Sequence, residues 1–293
     1  MIDSHPAPRA LSASPARGAF LVATAGLGAV AIHAGLCLEP EMAVLSALSW
    51  SAVATIGVLF PRLEMYAPVV SRGPTGRARV ALTFDDGPHP VTTRRVLQAL
   101  APTRHRATFF VLGEKVRRYP DVAREIQAAG HTIGVHGDVH DRLHSFRMTR
   151  SVYDWIVRAR DAVEAATGAR PRFFRPPMGH TSFTTVRGAR RAGVTLIGWT
   201  FRGYDGVRQC RPEAVVERVR RTVADGAIVL LHDAAEHDDF EPASGPALPR
   251  LVDLLDERGL TSVGLDTLLT PTLRREQAVV EASPTTRSNN LAT

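Results

Sequence analysis

Two adjacent carboxylates, Asp85 and Asp86, directly follow an apolar run and precede Gly87-Pro88. The run at 80–84 is typical of a buried strand, so both acids lie side by side where that strand ends. An unpaired carboxylate costs several kcal/mol to bury, and a second negative charge beside it raises the cost further. Because a divalent cation offsets such a cost, the pair of acids predicts a metal site.

Histidines follow in positions that suit the same chemistry. His136 and His140 form a pair with three residues between them, and His232 ends another apolar run. One oxygen of Asp86 and two imidazole nitrogens from the pair leave a further position open for water, as in catalytic zinc sites. The alternative for the histidine pair alone is a surface turn with two solvated side chains. We therefore predict a hydrolytic centre that holds a divalent metal, with Zn²⁺ as the first choice and cobalt or nickel as alternatives.

An alternation of strands and helices must position these residues. Seven strands interleaved with helices predict a parallel α/β protein. The titratable residues fall at strand ends, where a barrel places its active site, and no Gly-x-Gly-x-x-Gly follows the first strand. We therefore predict an incomplete or distorted (β/α) barrel. Its strands are predicted at 80–84, 107–112, 132–135, 172–174, 195–199, 227–231 and 261–265.

Two uncharged apolar segments, 18–38 and 42–60, precede this domain. Each is long enough to cross a bilayer as a helix, which takes about 20 residues. The polar turn Glu39-Pro40-Glu41 between them predicts a transmembrane hairpin; the alternatives are a signal peptide followed by one apolar helix, and a soluble packing role. The predicted units are a disordered tail (1–17), the hairpin (18–61), a linker (62–78), a catalytic domain (79–270) and a disordered tail (271–293).

The distribution of charge predicts the membrane orientation and argues against a nucleic-acid partner. Arginines flank the hairpin on both sides while its turn is acidic, so the positive-inside rule favours a bacterial inner-membrane protein whose catalytic domain faces the cytoplasm. The net charge of +7 comes almost entirely from arginine, without a basic block interleaved with aromatic residues. We therefore predict no nucleic-acid partner. Two cysteines in unrelated contexts exclude a disulfide framework.

Four motifs in this order resemble those of the polysaccharide deacetylase family, the NodB-homology carbohydrate esterases of family 4. The similarity covers about 79–268, or some two-thirds of the chain. Each motif lies at a predicted strand end. The motifs are Thr83-Phe84-Asp85-Asp86-Gly87-Pro88, His136-x-x-x-His140, Arg175-Pro176-Pro177-x-Gly179 and Leu230-x-His232.

The resemblance implies a catalytic role for several of these residues. Asp86, His136 and His140 match the metal ligands of the family. Asp85 matches the general base, which takes a proton from the attacking water, and His232 matches the general acid, which protonates the leaving amine.

The resemblance also implies residues that support these groups or contact the substrate. Arg175 orients Asp85, and the backbone N–H of Met178 is aimed at the developing oxyanion. Leu230 lines the pocket for the acyl methyl group. Asp205 is the candidate to tune His232 through a charge pair. Trp199 lines the sugar groove or, as an equal alternative, packs in the core.

The chain matches the family pattern at the expected metal ligands. It departs from that pattern at positions expected to lie around the substrate. Gly137 replaces the usual Ser or Thr between the two histidines, so a loop hydrogen bond is expected to be missing. Met178 replaces an aromatic residue. Arg202 and Gly206 replace an Asp and a Trp. We interpret these changes as adaptation to a different glycan.

The sequence therefore predicts a metal-dependent hydrolase that removes an N-acetyl or other N-acyl group from an amino sugar of a polysaccharide or glycan precursor. Its predicted partners are an N-acylated carbohydrate and the membrane. Two alternatives remain open. One is a deacylase of a lipid-linked saccharide at the cytoplasmic membrane face, and the other is a catalytically idle, membrane-anchored glycan-binding module.

Overall fold

The computed structural model describes residues 15–37, 40–60 and 63–270. The predicted tails at 1–17 and 271–293 lie outside the described residues, except that 15–17 begin the first helix. The helices are α1 (Pro15–Leu36), α2 (Pro40–Leu59), α3 (Thr92–Leu100), α4 (Gly113–Arg118), α5 (Pro120–Ala128), α6 (Thr149–Thr167), α7 (Phe183–Arg191), α8 (Pro212–Thr222) and α9 (Ser244–Glu257). The strands are β1 (Arg79–Asp85), β2 (Ala107–Val111), β3 (Thr132–Val135), β4 (Phe173–Phe174), β5 (Thr195–Leu196), β6 (Phe201–Arg202), β7 (Ile228–His232) and β8 (Thr261–Ser262).

The strands form one parallel sheet in the order β5-β4-β3-β2-β1-β7-β6, and β8 pairs with the first residues of β1. Within the described part of the chain, the two end strands β5 and β6 do not pair with each other. The segment before β1 lies between them, since Val70 pairs with Ile197 and Arg72 pairs with Ala227. This curled, seven-strand half-barrel confirms the predicted incomplete barrel.

The two faces of the sheet bury different residues. Along β1, Val80, Leu82 and Phe84 pack with the surrounding helices, while Ala81 belongs to a second cluster inside the curl. Side chains alternate between faces along a strand, so Asp85 shares the inner face with Ala81. The inner face of β1 is therefore apolar at Ala81 and acidic at its carboxyl end, at Asp85.

Several elements differ from the prediction. The strands predicted at 195–199 and 261–265 are shorter, since β5 ends at Leu196 and β8 ends at Ser262, and residues 265–270 are helical. The strand β6 lies outside the predicted strands, because two residues are too short to show a hydrophobic period. The helix α9 spans Ser244–Glu257 with Pro249 inside it. The sheet topology does not depend on these differences.

The helices α1 and α2 form the predicted hairpin. Trp50 Nε1 donates to Thr24 Oγ1 across the pair at 3.1 Å, and the Tyr66 hydroxyl beyond α2 donates to the Ala54 carbonyl at 2.6 Å. Both helices are long and apolar enough to cross a membrane, and few of their residues are buried. Large apolar side chains such as Leu21 and Leu48 are exposed on them. These features are compatible with a membrane anchor.

Candidate metal centre and active site

Strand register brings the ends of four strands together. Asp85 is paired in register with His232 of β7, and Val135 of β3 is paired with Phe174 of β4. The next residues along the chain are His136 and Arg175, which therefore also become neighbours. The carboxyl edge of the half-barrel thus collects the motif residues that the sequence separates by up to about 150 positions.

Three ligand-type atoms converge at this edge. Oδ1 of Asp86 lies 3.5 Å from Nε2 of His136 and 3.7 Å from Nε2 of His140, and all three atoms lie within 4.8 Å of one another. Tetrahedral zinc ligands at about 2.0–2.1 Å from the ion would lie about 3.3 Å apart, so this spacing fits a metal. Oδ1 of Asp86 is buried and has no hydrogen-bond partner among the described residues. Coordination to a cation would satisfy this oxygen.

Oxygen atoms lie beside Nδ1 of both imidazoles, on the side away from the cation position. Nδ1 of His136 lies 2.7 Å from the Arg175 carbonyl, and Nδ1 of His140 lies 3.0 Å from Oε1 of Glu236. A proton on each Nδ1 leaves each Nε2 lone pair free for a metal. Burial lowers the pKa of His136 well below its ordinary value, and His140 and Arg175 add to this effect. His136 is therefore neutral near pH 7, as a metal ligand must be.

Glu236 is a site residue that the sequence analysis did not identify. It accepts from Arg142 as well as contacting His140, and it lies in the loop after β7. Lys115, the only lysine of the chain, anchors this loop by donating to the Ala235 carbonyl at 2.8 Å and to Asp238 at 2.6 Å. The loop has no motif or periodic pattern, so only the fold reveals that it reaches the second histidine.

Asp85 and Arg175 form a buried ion pair. Nη1 of Arg175 donates to Oδ1 of Asp85 at 2.7 Å and to Thr83 at 2.8 Å, and Nη2 donates to the Gly198 carbonyl at 2.9 Å. The guanidinium lies 4.2 Å from the ring centre of Phe110. Burial raises the pKa of Asp85 although Arg175 opposes that rise. The arginine holds one carboxylate oxygen in place and leaves the other facing His136, at 4.0 Å.

His232 is paired with Asp205. Nδ1 of His232 lies 3.1 Å from Oδ1 of Asp205, whose Oδ2 accepts from the His232 backbone N–H at 2.7 Å. Burial alone would lower the pKa of His232, but attraction to Asp205 and the hydrogen bond between them raise it to about 9. The imidazole is therefore protonated near neutral pH, and its Nε2 proton is available to an acceptor.

Replacing Asp205 with asparagine is expected to shift the pH dependence of turnover. An acid must be protonated, so activity should fall as the pH rises through the His232 pKa of about 9. Without the Asp205 charge that pKa drops toward its ordinary value of about 6.5, and the alkaline limb should move down by about 1–2 pH units. A pH–rate profile of both proteins measures the shift. An unchanged alkaline limb would remove His232 as the acid.

The remaining predicted site residues lie around this centre. Leu230 is buried on β7, two residues before His232 on the same face. Met178 is exposed in a 3₁₀ turn with φ of 57°. Trp199 is half-buried with its ring 5.9 Å from the Arg175 guanidinium, and it leaves no room for a Cβ at Gly179. Trp199 thus contacts both Arg175 and the turn that carries Met178.

Gly137 is required by its neighbour Trp155. Its φ is 103°, and a Cβ there would overlap the indole ring of Trp155, which lies on α6. Nε1 of Trp155 donates to the Val139 carbonyl at 3.2 Å. A tryptophan from a distant helix thus donates a hydrogen bond to this loop. Sequence alone gave no sign of it, because Trp155 belongs to the apolar face of α6.

Replacing Gly137 with serine should therefore destabilise the protein by displacing Trp155. Gly168 is a matched control, because it also has a positive φ (75°) but has no atom within 4 Å of an added Cβ. We expect Gly137→Ser to lower the free energy of unfolding by about 1–3 kcal/mol more than Gly168→Ser, which is a typical cost of overpacking. Denaturant unfolding of the full chain in detergent measures the difference. Equal losses in both variants would contradict the packing role of Trp155.

Comparisons with known proteins identify the family. The sequence model of the polysaccharide deacetylase family matches residues 72–197. A chitooligosaccharide deacetylase of Sinorhizobium fredii is 35% identical over 202 residues, which is 66% of this chain and 93% of that protein. A peptidoglycan-N-acetylglucosamine deacetylase of Bacillus cereus is 28% identical over 218 residues, or 74% of this chain and 77% of that protein.

Solved structures show the same fold. A CE4 family pseudoenzyme from Bacillus anthracis matches with a TM-score of 0.63 at 27% identity, covering 71% of each chain. A family 4 acetyl xylan esterase from Clostridium thermocellum, solved with a cobalt ion, matches with a TM-score of 0.61 at 30% identity. That match covers 66% of this chain and 91% of the esterase.

Proposed function

This chain belongs to the polysaccharide deacetylase family, and we propose that it removes an N-acetyl or other N-acyl group from an amino sugar of a polysaccharide or glycan precursor. It is a hydrolase of the type that acts on non-peptide amide bonds. One observation carries the proposal. Asp85 and His232 are opposite each other in register, beside the convergent atoms of Asp86, His136 and His140. Amide hydrolysis needs such a base and such an acid at one carbonyl.

In this proposal the chain's own residues move the protons. Asp85, held by Arg175, takes the proton of the attacking water, and protonated His232 gives its proton to the leaving amine. The acid is needed because an amide nitrogen leaves poorly without a proton. A divalent cation on Asp86 and the two histidines supplies Lewis acidity toward water and the amide carbonyl.

Three further residues contact the substrate in this proposal. The backbone N–H of Met178 donates to the developing oxyanion, and Leu230 bounds the pocket for the acyl methyl group. Trp199 provides one wall of the sugar groove. Its half-buried ring beside Arg175 supports that assignment, since a ring packed only in the core would be fully covered.

We propose Zn²⁺ as the cation. Members of this family act with a divalent metal, and two imidazoles with one carboxylate suit zinc. Cobalt and nickel suit the same ligands, and availability decides between them. The metal content of the purified full chain, measured by elemental analysis, tests the choice.

The proposed reaction is tested by incubating the full chain in detergent with an N-acetylglucosamine tetramer and counting free amines on the sugar. New amines that depend on the protein support the proposal. An absence of new amines on this tetramer and on a lipid-linked N-acetylglucosamine substrate, with metal bound, would overturn it and favour an idle glycan-binding module. The intact base, acid and ligand set argues against such a module, because binding alone does not need them.

A second candidate is the same reaction on a lipid-linked saccharide at the cytoplasmic membrane face. The apolar hairpin of α1 and α2 supports it, because two spans return the chain to the side from which it started. In this candidate 18–61 anchor the protein, 62–78 link the anchor to the sheet, and 79–270 form the catalytic domain. A C-terminal reporter that works only in the cytoplasm tests the orientation. A silent reporter on a stable fusion would exclude the cytoplasmic face.

A further inference from the structure

Arg202 lies on the same face of the sheet as the catalytic residues. It is paired in register with Leu230 of β7, which is two residues before His232. Paired residues of neighbouring strands share a face, and so do residues two apart on one strand. The side chain of Arg202 therefore projects from the inner face of the half-barrel beside the proposed acid.

Aromatic rings fix the Arg202 guanidinium. Its central carbon lies 5.3 Å from the ring centre of Trp199 and 5.5 Å from that of Tyr204. Stacking of this kind occupies the flat faces of a guanidinium and leaves its N–H edge for an acceptor. Trp199 also contacts Arg175, which donates a hydrogen bond to Asp85. One ring thus separates Arg202 from the ion pair that holds the proposed base.

The N–H groups of Arg202 have no protein acceptor in the part of the chain that the structure describes. No carboxylate there lies within 4.0 Å of it, although the side chain is half-buried. Arg218, which donates to the Gly203 carbonyl at 3.0 Å, lies over the same Tyr204 ring and adds positive charge. A half-buried guanidinium with unused donors is satisfied best by an anionic acceptor, and its planar fork matches a carboxylate or a phosphate.

We propose that Arg202, stacked on Trp199 and Tyr204, binds an anionic oxygen group carried by the saccharide substrate. This inference rests on the proposed function, since it describes the substrate of the same site. The anion is a carboxylate or a phosphate on the deacylated sugar or on the sugar next to it. The arginine thereby selects acidic saccharides over neutral ones at a position where the family pattern has an aspartate.

Binding to three disaccharides tests this subsite. The probes are neutral diacetylchitobiose, its 1-phosphate, and a disaccharide of glucuronic acid and N-acetylglucosamine. Calorimetric titration uses the full chain in detergent with Asp85→Asn as the background, so that binding is read without turnover. We expect acidic probes to bind more tightly than the neutral one, and Arg202→Gln to reduce that preference by about 10- to 100-fold. Arg202→Lys should restore part of it, because lysine keeps the charge but not the fork.

Arg191 provides a matched control. It lies 4.9 Å from the ring centre of Tyr153 on the outer helices and, within the described residues, also has no carboxylate partner. Arg191→Gln should leave all three affinities unchanged. The acidic probe whose preference over the neutral probe is lost in Arg202→Gln, either the phosphate or the glucuronyl disaccharide, identifies the anion. Equal affinities of the parent for neutral and acidic probes, or a preference that survives Arg202→Gln, would overturn the subsite. Failure of the proposed function would instead appear as absent deacylation of the tetramer and of the lipid-linked substrate by the chain with Asp85 intact, whatever the affinities for the three probes.

Discussion

Replacing Asp85 with asparagine is expected to lower the turnover number by about 10²- to 10⁴-fold, the usual contribution of a general base. The amide keeps an oxygen that can accept from Nη1 of Arg175, so the fold and the arginine position should survive. It cannot take a proton from water. Metal affinity should stay within a few-fold, because Asp86, His136 and His140 form the converging set without Asp85. Single-turnover kinetics and metal titration measure the two effects separately.

A charge-matched control lies at the other end of the same strand. Asp225 accepts from the Arg79 backbone N–H at 2.8 Å, where β1 begins. Asp225→Asn changes the net charge by the same amount, so it should leave turnover nearly unchanged even if it costs stability. If Asp85→Asn retained full turnover, or lost it together with metal binding, Asp85 would not be the base.

Replacing His140 with alanine is expected to weaken metal binding by more than about 100-fold. It removes one of the three converging atoms, whereas loss of an outer partner of a ligand costs about 10- to 100-fold. We expect the smaller loss for Glu236→Gln, because Glu236 approaches His140 at Nδ1, not at Nε2, and does not belong to the converging set. Competition with a chromophoric chelator measures the zinc dissociation constant of each variant.

His237 is the control for this series. It follows Glu236 directly but its side chain is 77% exposed. His237→Ala should bind zinc as the parent does. A dissociation constant for His140→Ala equal to that of the parent would contradict the assignment of His140 as a ligand. Equal constants for Glu236→Gln and the parent would remove only the orienting role of Glu236.

The sequence predicted the carboxyl edge of the sheet well, because the signals there are local. The apolar strand that ends in Asp85 and Asp86 is predictable from its own residues. In a parallel sheet the carboxyl ends of the strands lie at one edge, so the arrangement itself brings these residues together. The register of Asp85 with His232 then follows from the barrel. The roles of these residues remain proposals that the variants above test.

What the sequence did not predict depends on contacts between distant segments. Glu236 reaches His140 from a loop with no pattern of its own, and Trp155 fills the space that a glycine leaves in another loop. The strand β6 has two residues, so it gave no periodic signal, although it places Arg202 on the same face of the sheet as Leu230 and His232. Such contacts appear only once the chain is folded, because neither partner is unusual by itself.

Acetate release from an N-acetylglucosamine tetramer, by the metal-stripped full chain before and after zinc is restored, tests the central claim most directly. We predict no release from the stripped protein and release that rises with zinc until about one ion is bound per chain, as one three-ligand site requires. Release at the same rate without metal would contradict the assignment of Asp86, His136 and His140 as a catalytic metal site.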